Sequence, residues 1–183
     1  MIELRDLTVR FLNQTVFEHR DFILPDFGIV LLTGESGIGK TTLLRVLAGL
    51  LKPQSGIISG IEGRRVSFVF QEPRLLEKMS ALENVALVSN ENTAKELLTQ
   101  LNLKDEMLKK TSELSGGQKQ RVSLARAFAY SDDIALLDEP FTGLDEQNKI
   151  RAAELIRTAK LAIVVTHDPS DAELLHTDRK INL

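Results

Sequence analysis

The stretch that most restricts this chain is Ile29-Val30-Leu31-Leu32-Thr33 together with the glycine-rich segment after it. A short continuous apolar run predicts a strand covered on both faces, as in a parallel sheet with helices on either side. It leads into Gly34-Glu35-Ser36-Gly37-Ile38-Gly39-Lys40-Thr41, which fits G-x-x-x-x-G-K-[ST]. Thr41–Leu50 then carries Leu43, Leu44, Leu47 and Leu50 on one stripe, the pattern of an amphipathic helix. Strand, glycine loop and helix together predict a phosphate cradle. Glycines let successive N–H groups turn inward, and the helix start adds free N–H groups and its positive dipole end. Lys40 reaches β- and γ-phosphates, and the Thr41 hydroxyl ligates Mg²⁺. Gly34 to Thr42 is therefore the first candidate binding stretch. The competing reading is a glycine-rich turn that happens to contain Gly-Lys-Thr.

The rest of the chain repeats the alternation. Ile2, Leu4, Leu7 and Val9 alternate with polar residues, predicting a half-buried strand with one irregularity. Further strands are predicted near Val16–Leu24, Val66–Phe70, Ile134–Leu137 and Leu161–Val165. Helices are predicted over Gln118–Tyr130, Glu146–Ala159 and Ser170–His176, with two or three more between about Ser80 and Leu108. Strands alternating with helices predict an α/β fold built on a parallel sheet.

Ile134-Ala135-Leu136-Leu137-Asp138-Glu139 ends a buried strand on two carboxylates. Ligands of open α/β sheets bind outside the carboxyl ends of the strands, where the phosphate loop also lies. Asp138 is the candidate to hold Mg²⁺, and Glu139 the candidate to orient or deprotonate an attacking water. An acidic strand ending without function is the alternative. His167 follows the apolar strand Leu161–Val165 on the same expected edge, whereas His19 and His176 read as structural. Taken by themselves, Gln71 reads as a strand-end polar residue and Phe11 as a core residue.

Leu114-Ser115-Gly116-Gly117-Gln118-Lys119-Gln120-Arg121 resembles the signature motif of ABC (ATP-binding cassette) ATPases. Other segments resemble that family in order and spacing, across essentially the whole chain. Gln71 stands where the family has its Q-loop glutamine, Thr142-Gly143-Leu144-Asp145 resembles the D-loop, His167 the switch histidine, and Phe11 the aromatic that stacks on adenine. The resemblance implies a P-loop NTPase (RecA-like) core with a mostly parallel sheet, a trimmed antiparallel β-subdomain, because residues 53–66 are few, and an inserted α-helical subdomain. One domain would span 1–183, with 1–71 and 116–183 as core and 72–115 as the helical part. It also implies ATP and Mg²⁺ as ligands. Lys40, Glu139 and His167 are the catalytic candidates, and Thr41, Gln71 and Asp138 the metal set. The nucleotide would touch Phe11, Gly34, Glu35, Ser36, Gly37, Ile38, Gly39, Lys40, Thr41, Thr42 and Gln71. From a second cassette, Ser115, Gly116, Gly117, Gln118 and Asp145 would complete the site.

Gln71-Glu72-Pro73-Arg74-Leu75-Leu76 and Ser80-Ala81-Leu82-Glu83-Asn84-Val85 resemble the nitrate, sulfonate and taurine importer group, although Glu77-Lys78 replaces that group's Pro-Trp. The implied function is the ATP-hydrolysing subunit of a transporter, cytoplasmic, bound to a separate membrane-spanning permease and pairing with a second ATPase domain. The alternatives are a non-transport ABC ATPase and a small-molecule kinase, for which a signature motif has no purpose. Bulk properties agree. A formal net charge of −3 gives no reason to expect nucleic acid, and the absence of cysteine excludes disulfides and thiolate sites. No stretch approaches the roughly 18–20 apolar residues that span a bilayer. The charged N-terminus does not read as a signal peptide, and the short run after His167 leaves no room for a C-terminal regulatory domain.

Overall fold

Two sheets enclose one apolar core between them, and the larger sheet has a second core on its other face. The computed structural model describes residues 1–12, 14–177 and 179–183. Strands β1 (Ile2–Phe11), β2 (Gln14–Leu24) and β4 (Ser55–Ser59) form an antiparallel sheet in the order β2-β1-β4. Strands β3 (Gly28–Thr33), β5 (Val66–Val69), β6 (Ile134–Asp138), β7 (Leu161–Val165) and β8 (Lys180–Asn182) form a parallel sheet in the order β5-β6-β7-β3-β8. Six helices accompany them among the described residues: α1 (Lys40–Leu47), α2 (Ala81–Ala86), α3 (Glu91–Gln100), α4 (Gly116–Tyr130), α5 (Glu146–Ile156) and α6 (Asp171–Leu174).

The parallel sheet is buried on both faces, and consecutive residues of its central strands go to opposite cores. Ile134 and Leu136 of β6 pack with α1 and the antiparallel sheet, while Ala135 and Leu137 pack with α2 to α5. Strand periodicity of two requires this split, and it explains why β6 and β7 read as unbroken apolar runs. The first strand carries more than the one irregularity expected: its pairing with β2 shifts register between Leu4 and Leu7, with Asp6 at φ 53°, and again between Leu7 and Val9 and between Val9 and Arg10.

Several boundaries differ from the sequence-based expectation. Helix α1 ends at Leu47 rather than Leu50, because Gly49 turns the chain at φ 68° just past the cap Ala48. Helix α5 stops at Ile156, before Ala159, and α6 covers only four residues, Asp171–Leu174. Strands β4 and β8 lie outside the strands expected from the sequence. The antiparallel sheet keeps a third strand, β4, of five residues, paired with β1 from Glu3↔Ser59 to Thr8↔Ser55. The stretch expected to be helical holds α2, α3 and a single 3₁₀ turn at Lys104–Glu106. Buried Asn84 stitches it together, its Oδ1 accepting from the Leu76 N–H at 2.8 Å and its Nδ2 donating to the Ser80 carbonyl at 3.0 Å.

Candidate active site

Parallel strands point their carboxyl ends the same way, so the segments leaving β3, β5, β6 and β7 meet at one edge. Those segments carry the phosphate loop, Gln71, Asp138–Glu139 and His167. They line a single cleft: Ser36, Gly37, Gly39, Lys40, Thr41, Thr42, Gln71, Asp138, Glu139, Val165 and His167.

The loop is held in shape from two sides. Gly39 precedes α1 at φ 114°, and a Cβ there would lie 2.6 Å from Val16 Cγ1 and 2.7 Å from Phe17 Cζ of β2. Only glycine meets both demands. Lys40 Nζ folds back to donate to the carbonyls of Gly34 at 2.8 Å and Glu35 at 2.9 Å. Glu35, Ser36, Gly37 and Ile38 form the crest of the loop.

Asp138 is 3% exposed at the end of β6. Burial pushes its carboxyl above the ordinary range, while a hydrogen bond from Thr41 and the nearby cations Arg45 and Lys40 pull it back. Glu139 sits at φ 52°, a conformation that a non-glycine residue adopts at a cost. Its N–H donates to the Val165 carbonyl at 2.9 Å, which ties the strand end to β7. Gln120 of α4 donates to the carbonyl of Glu139 at 3.3 Å and approaches that of Pro140 at 3.4 Å. Glu139 Oε1 is buried, has no hydrogen-bond partner among the described residues, and lies 3.4 Å from His167 Nε2. Burial raises its pKa, the charge of His167 opposes the rise, and Asp138 adds to it. A partly desolvated carboxylate with a free oxygen, facing a phosphate loop, is suited to accept a proton from water.

Other candidates stand outside this cleft. Phe11 ends β1, exposed and paired with Gln14 of β2, the strand that carries Val16 and Phe17 against Gly39. Ser115 caps α4 by accepting from the Gln118 N–H at 3.3 Å, and Gln118 Oε1 accepts from the Ser115 N–H at 2.9 Å. Asp145 caps α5, accepting from the N–H of Asn148 at 2.9 Å. One chain thus presents a phosphate loop with acids at one place and a glycine-led helix start at another.

The family described as ABC transporter matches residues 17–142. The chain belongs to the ABC transporter family. It is 41% identical to the aliphatic sulfonates import ATP-binding protein SsuB of Zymomonas mobilis, over all of this chain and 81% of that protein. It is 34% identical to the lipoprotein-releasing system ATP-binding protein LolD of Bacteroides fragilis, over all of this chain and 97% of that one. Among solved structures, a dimeric ATP-binding cassette in a post-hydrolysis state bound to ADP and Pi superposes with a TM-score of 0.86 at 27% identity, covering 100% of this chain and 94% of that one. The two sheets and the helices of this ABC cassette are those of a P-loop NTPase.

Four residues outside the expected site set have a place around it: Gln120, Arg121, Lys149 and Asp171. Arg121 is 7% exposed, and its Nη1 donates to the Leu101 carbonyl at 2.7 Å and to Asn148 Oδ1 at 3.1 Å. Of the four, Gln120 and Arg121 stand within the signature string, and polar residues on a buried helix face are the signal that marks them.

Proposed function

We propose that this chain is the motor subunit of an ABC importer, coupling ATP hydrolysis to solute movement through a separate membrane-spanning permease. It is an ABC-type ATPase by family. The observation that carries the hydrolytic reading is the unpartnered Glu139 oxygen beside His167, facing the phosphate loop. Import is favoured by similarity to sulfonate importers from several bacteria at about 38–41% identity. Among the described residues no helix is long and apolar enough to cross a membrane, which fits a subunit seated on a permease at the cytoplasmic face.

Mg²⁺ fits the donors. Thr41, Gln71 and Asp138 offer a hydroxyl, an amide oxygen and one carboxylate, the hard oxygen ligands this ion takes. The described residues hold no group of three His, Cys, Asp or Glu able to bind a metal alone, so nucleotide phosphates would supply the remaining oxygens. Mg²⁺ bound there would neutralise charge between the β- and γ-phosphates. The protein's own groups do the rest. The loop N–H groups and Lys40 hold the phosphates, Glu139 orients the attacking water and takes its proton, and His167 keeps Glu139 in place and donates toward developing charge.

The signature residues Ser115 to Gln118 and Asp145 lie outside the cleft, which supports a head-to-tail pair in which each cassette completes its partner's site. Dimeric cassettes among the solved relatives agree with that arrangement. The test is phosphate release by the purified chain with ATP and Mg²⁺, repeated with Glu139→Gln. That variant should also accumulate as an ATP-dependent dimer on gel filtration. A chain that releases no phosphate under any ATP concentration would end the proposal.

A further inference from the structure

Among the described residues, two buried side-chain oxygens have no hydrogen-bond partner: Glu139 Oε1 and Asp171 Oδ1. The first belongs to the hydrolytic pair. The second has no part in that chemistry, yet Asp171 is 2% exposed and its charge is felt by Glu139. Asp171 is held by the Thr166 hydroxyl on one oxygen, and Lys149 Nζ lies 3.6 Å from the other. The same Lys149 pairs with Asp168 at 3.0 Å. Two residues that follow His167, Asp168 and Asp171, are therefore tied to one ammonium group, and Asp171 in turn holds Thr166, the residue before His167. His167 itself is exposed and lies against Glu139, so its placement depends on that loop.

Lys149 lies in the first turn of α5, and its N–H donates to the Asp145 carbonyl at 2.8 Å. Its neighbour Asn148 is buried, donates to Asp145 Oδ2 at 2.8 Å and accepts from Arg121 at 3.1 Å. Arg121 Nε reaches the carbonyl of Gly117 at 3.3 Å, and Gly117 is seated so closely on Gly143 that a Cβ would stand 2.4 Å from its carbonyl oxygen. The first turn of α5 is thus pinned to the signature helix through Asn148 and to the histidine loop through Lys149.

We infer that Lys149 is a positioning residue for hydrolysis: it fixes the loop carrying His167 against Glu139 and ties that placement to the signature helix through α5. This rests on the hydrolytic reading proposed for the site. A half-exposed ion pair such as Lys149–Asp168 adds little to stability, whereas buried Asp171 without its cation would drive the loop to rearrange.

The test compares Lys149→Ala and Lys149→Arg in the full chain with ATP and Mg²⁺. Lys149→Ala should lower kcat about tenfold while KM stays within about twofold, and Lys149→Arg should restore kcat. A second readout needs no activity. With three histidines in the chain, the His167 ring protons can be followed by NMR. In Lys149→Ala the His167 signal should shift while that of His19 stays in place. Unchanged kcat in Lys149→Ala, a loss that arginine does not restore, or a His167 signal that ignores the substitution would each overturn the inference. If the wild-type chain hydrolyses no ATP, the functional proposal fails, and the NMR comparison still decides the positioning role.

Discussion

Glu139 Oε1 and His167 Nε2 face each other at 3.4 Å across the ends of two adjacent parallel strands, and that carboxylate oxygen has no hydrogen-bond partner among the described residues. The pair combines a desolvated acid, a strained backbone at φ 52° and an imidazole, all beside the phosphate loop. Each feature costs the fold something, and each suits a group that must meet a water molecule.

Replacing Glu139 with glutamine should therefore separate activity from stability. ATP binding should persist, while kcat should fall by about two to four orders of magnitude, the range for loss of a general base. The neutral side chain should also stabilise the fold by about 1 kcal/mol, seen as a melting temperature higher by roughly 3 °C. Near-normal turnover in the variant would remove Glu139 from its role.

The same carboxyl sets a pH dependence. Burial raises its pKa in the folded chain, so hydrolysis should fail on the acid side at a pH above the ordinary glutamate value of about 4.3. Stability follows the opposite sense. The unfolded chain ionises Glu139 at the ordinary value and the folded chain only at the raised one, so its contribution is intact below the first and lost as pH rises through the second. The melting-temperature gap between Glu139→Gln and wild type should be small near about pH 4 and open toward about pH 7. An equal gap at both would show that charge burial is not its source.

Lys40 donates to two loop carbonyls, Gly34 and Glu35, and its ammonium is the group proposed to meet a bound phosphate. Lys40→Ala should weaken nucleotide binding by about 10- to 100-fold, the worth of a hydrogen bond to a charged group. Equilibrium binding of a fluorescent ATP analogue measures this directly, and unchanged affinity would contradict the phosphate-loop assignment.

Two neighbouring glycines at the start of α4 should respond differently. Gly116 has open space around it, whereas a Cβ on Gly117 would press on the Gly143 carbonyl. Gly116→Ala should keep the wild-type melting temperature within roughly 2 °C, and Gly117→Ala should lose about 1–3 kcal/mol. If the signature face meets a partner cassette's nucleotide, Gly116→Ala should nonetheless depress ATPase activity. Full activity in that variant would argue against a phosphate approaching Gly116.

Much of the site is legible in the sequence because its parts are local and end on strands. The run before Gly34, the acids after Leu137 and the histidine after Val165 each announce a strand end, and parallel strands deliver such ends to one edge. What the string hides is tertiary. Lys149 and Asp171 look like ordinary helix-surface charges and gain meaning only because α5 and the loop after β7 lie side by side. The strain at Glu139 leaves no trace, since a glutamate does not advertise a left-handed backbone. Strands β4 and β8 have five and three residues, too few to show a period. The side chains of Ser115, Gln118 and Asp145 are engaged in capping helices, and the Ser-x-x-Gln spacing signals such a cap as readily as it signals a phosphate site.

The left-handed, desolvated acid at position 139 also sets what selection can do with this cassette. A library screened only for survival of heating should enrich glycine, asparagine or glutamine there, and the winners would be inert. Screened for turnover, the same library should return glutamate every time, carrying its thermal penalty with it. Added robustness has to come from elsewhere in the chain.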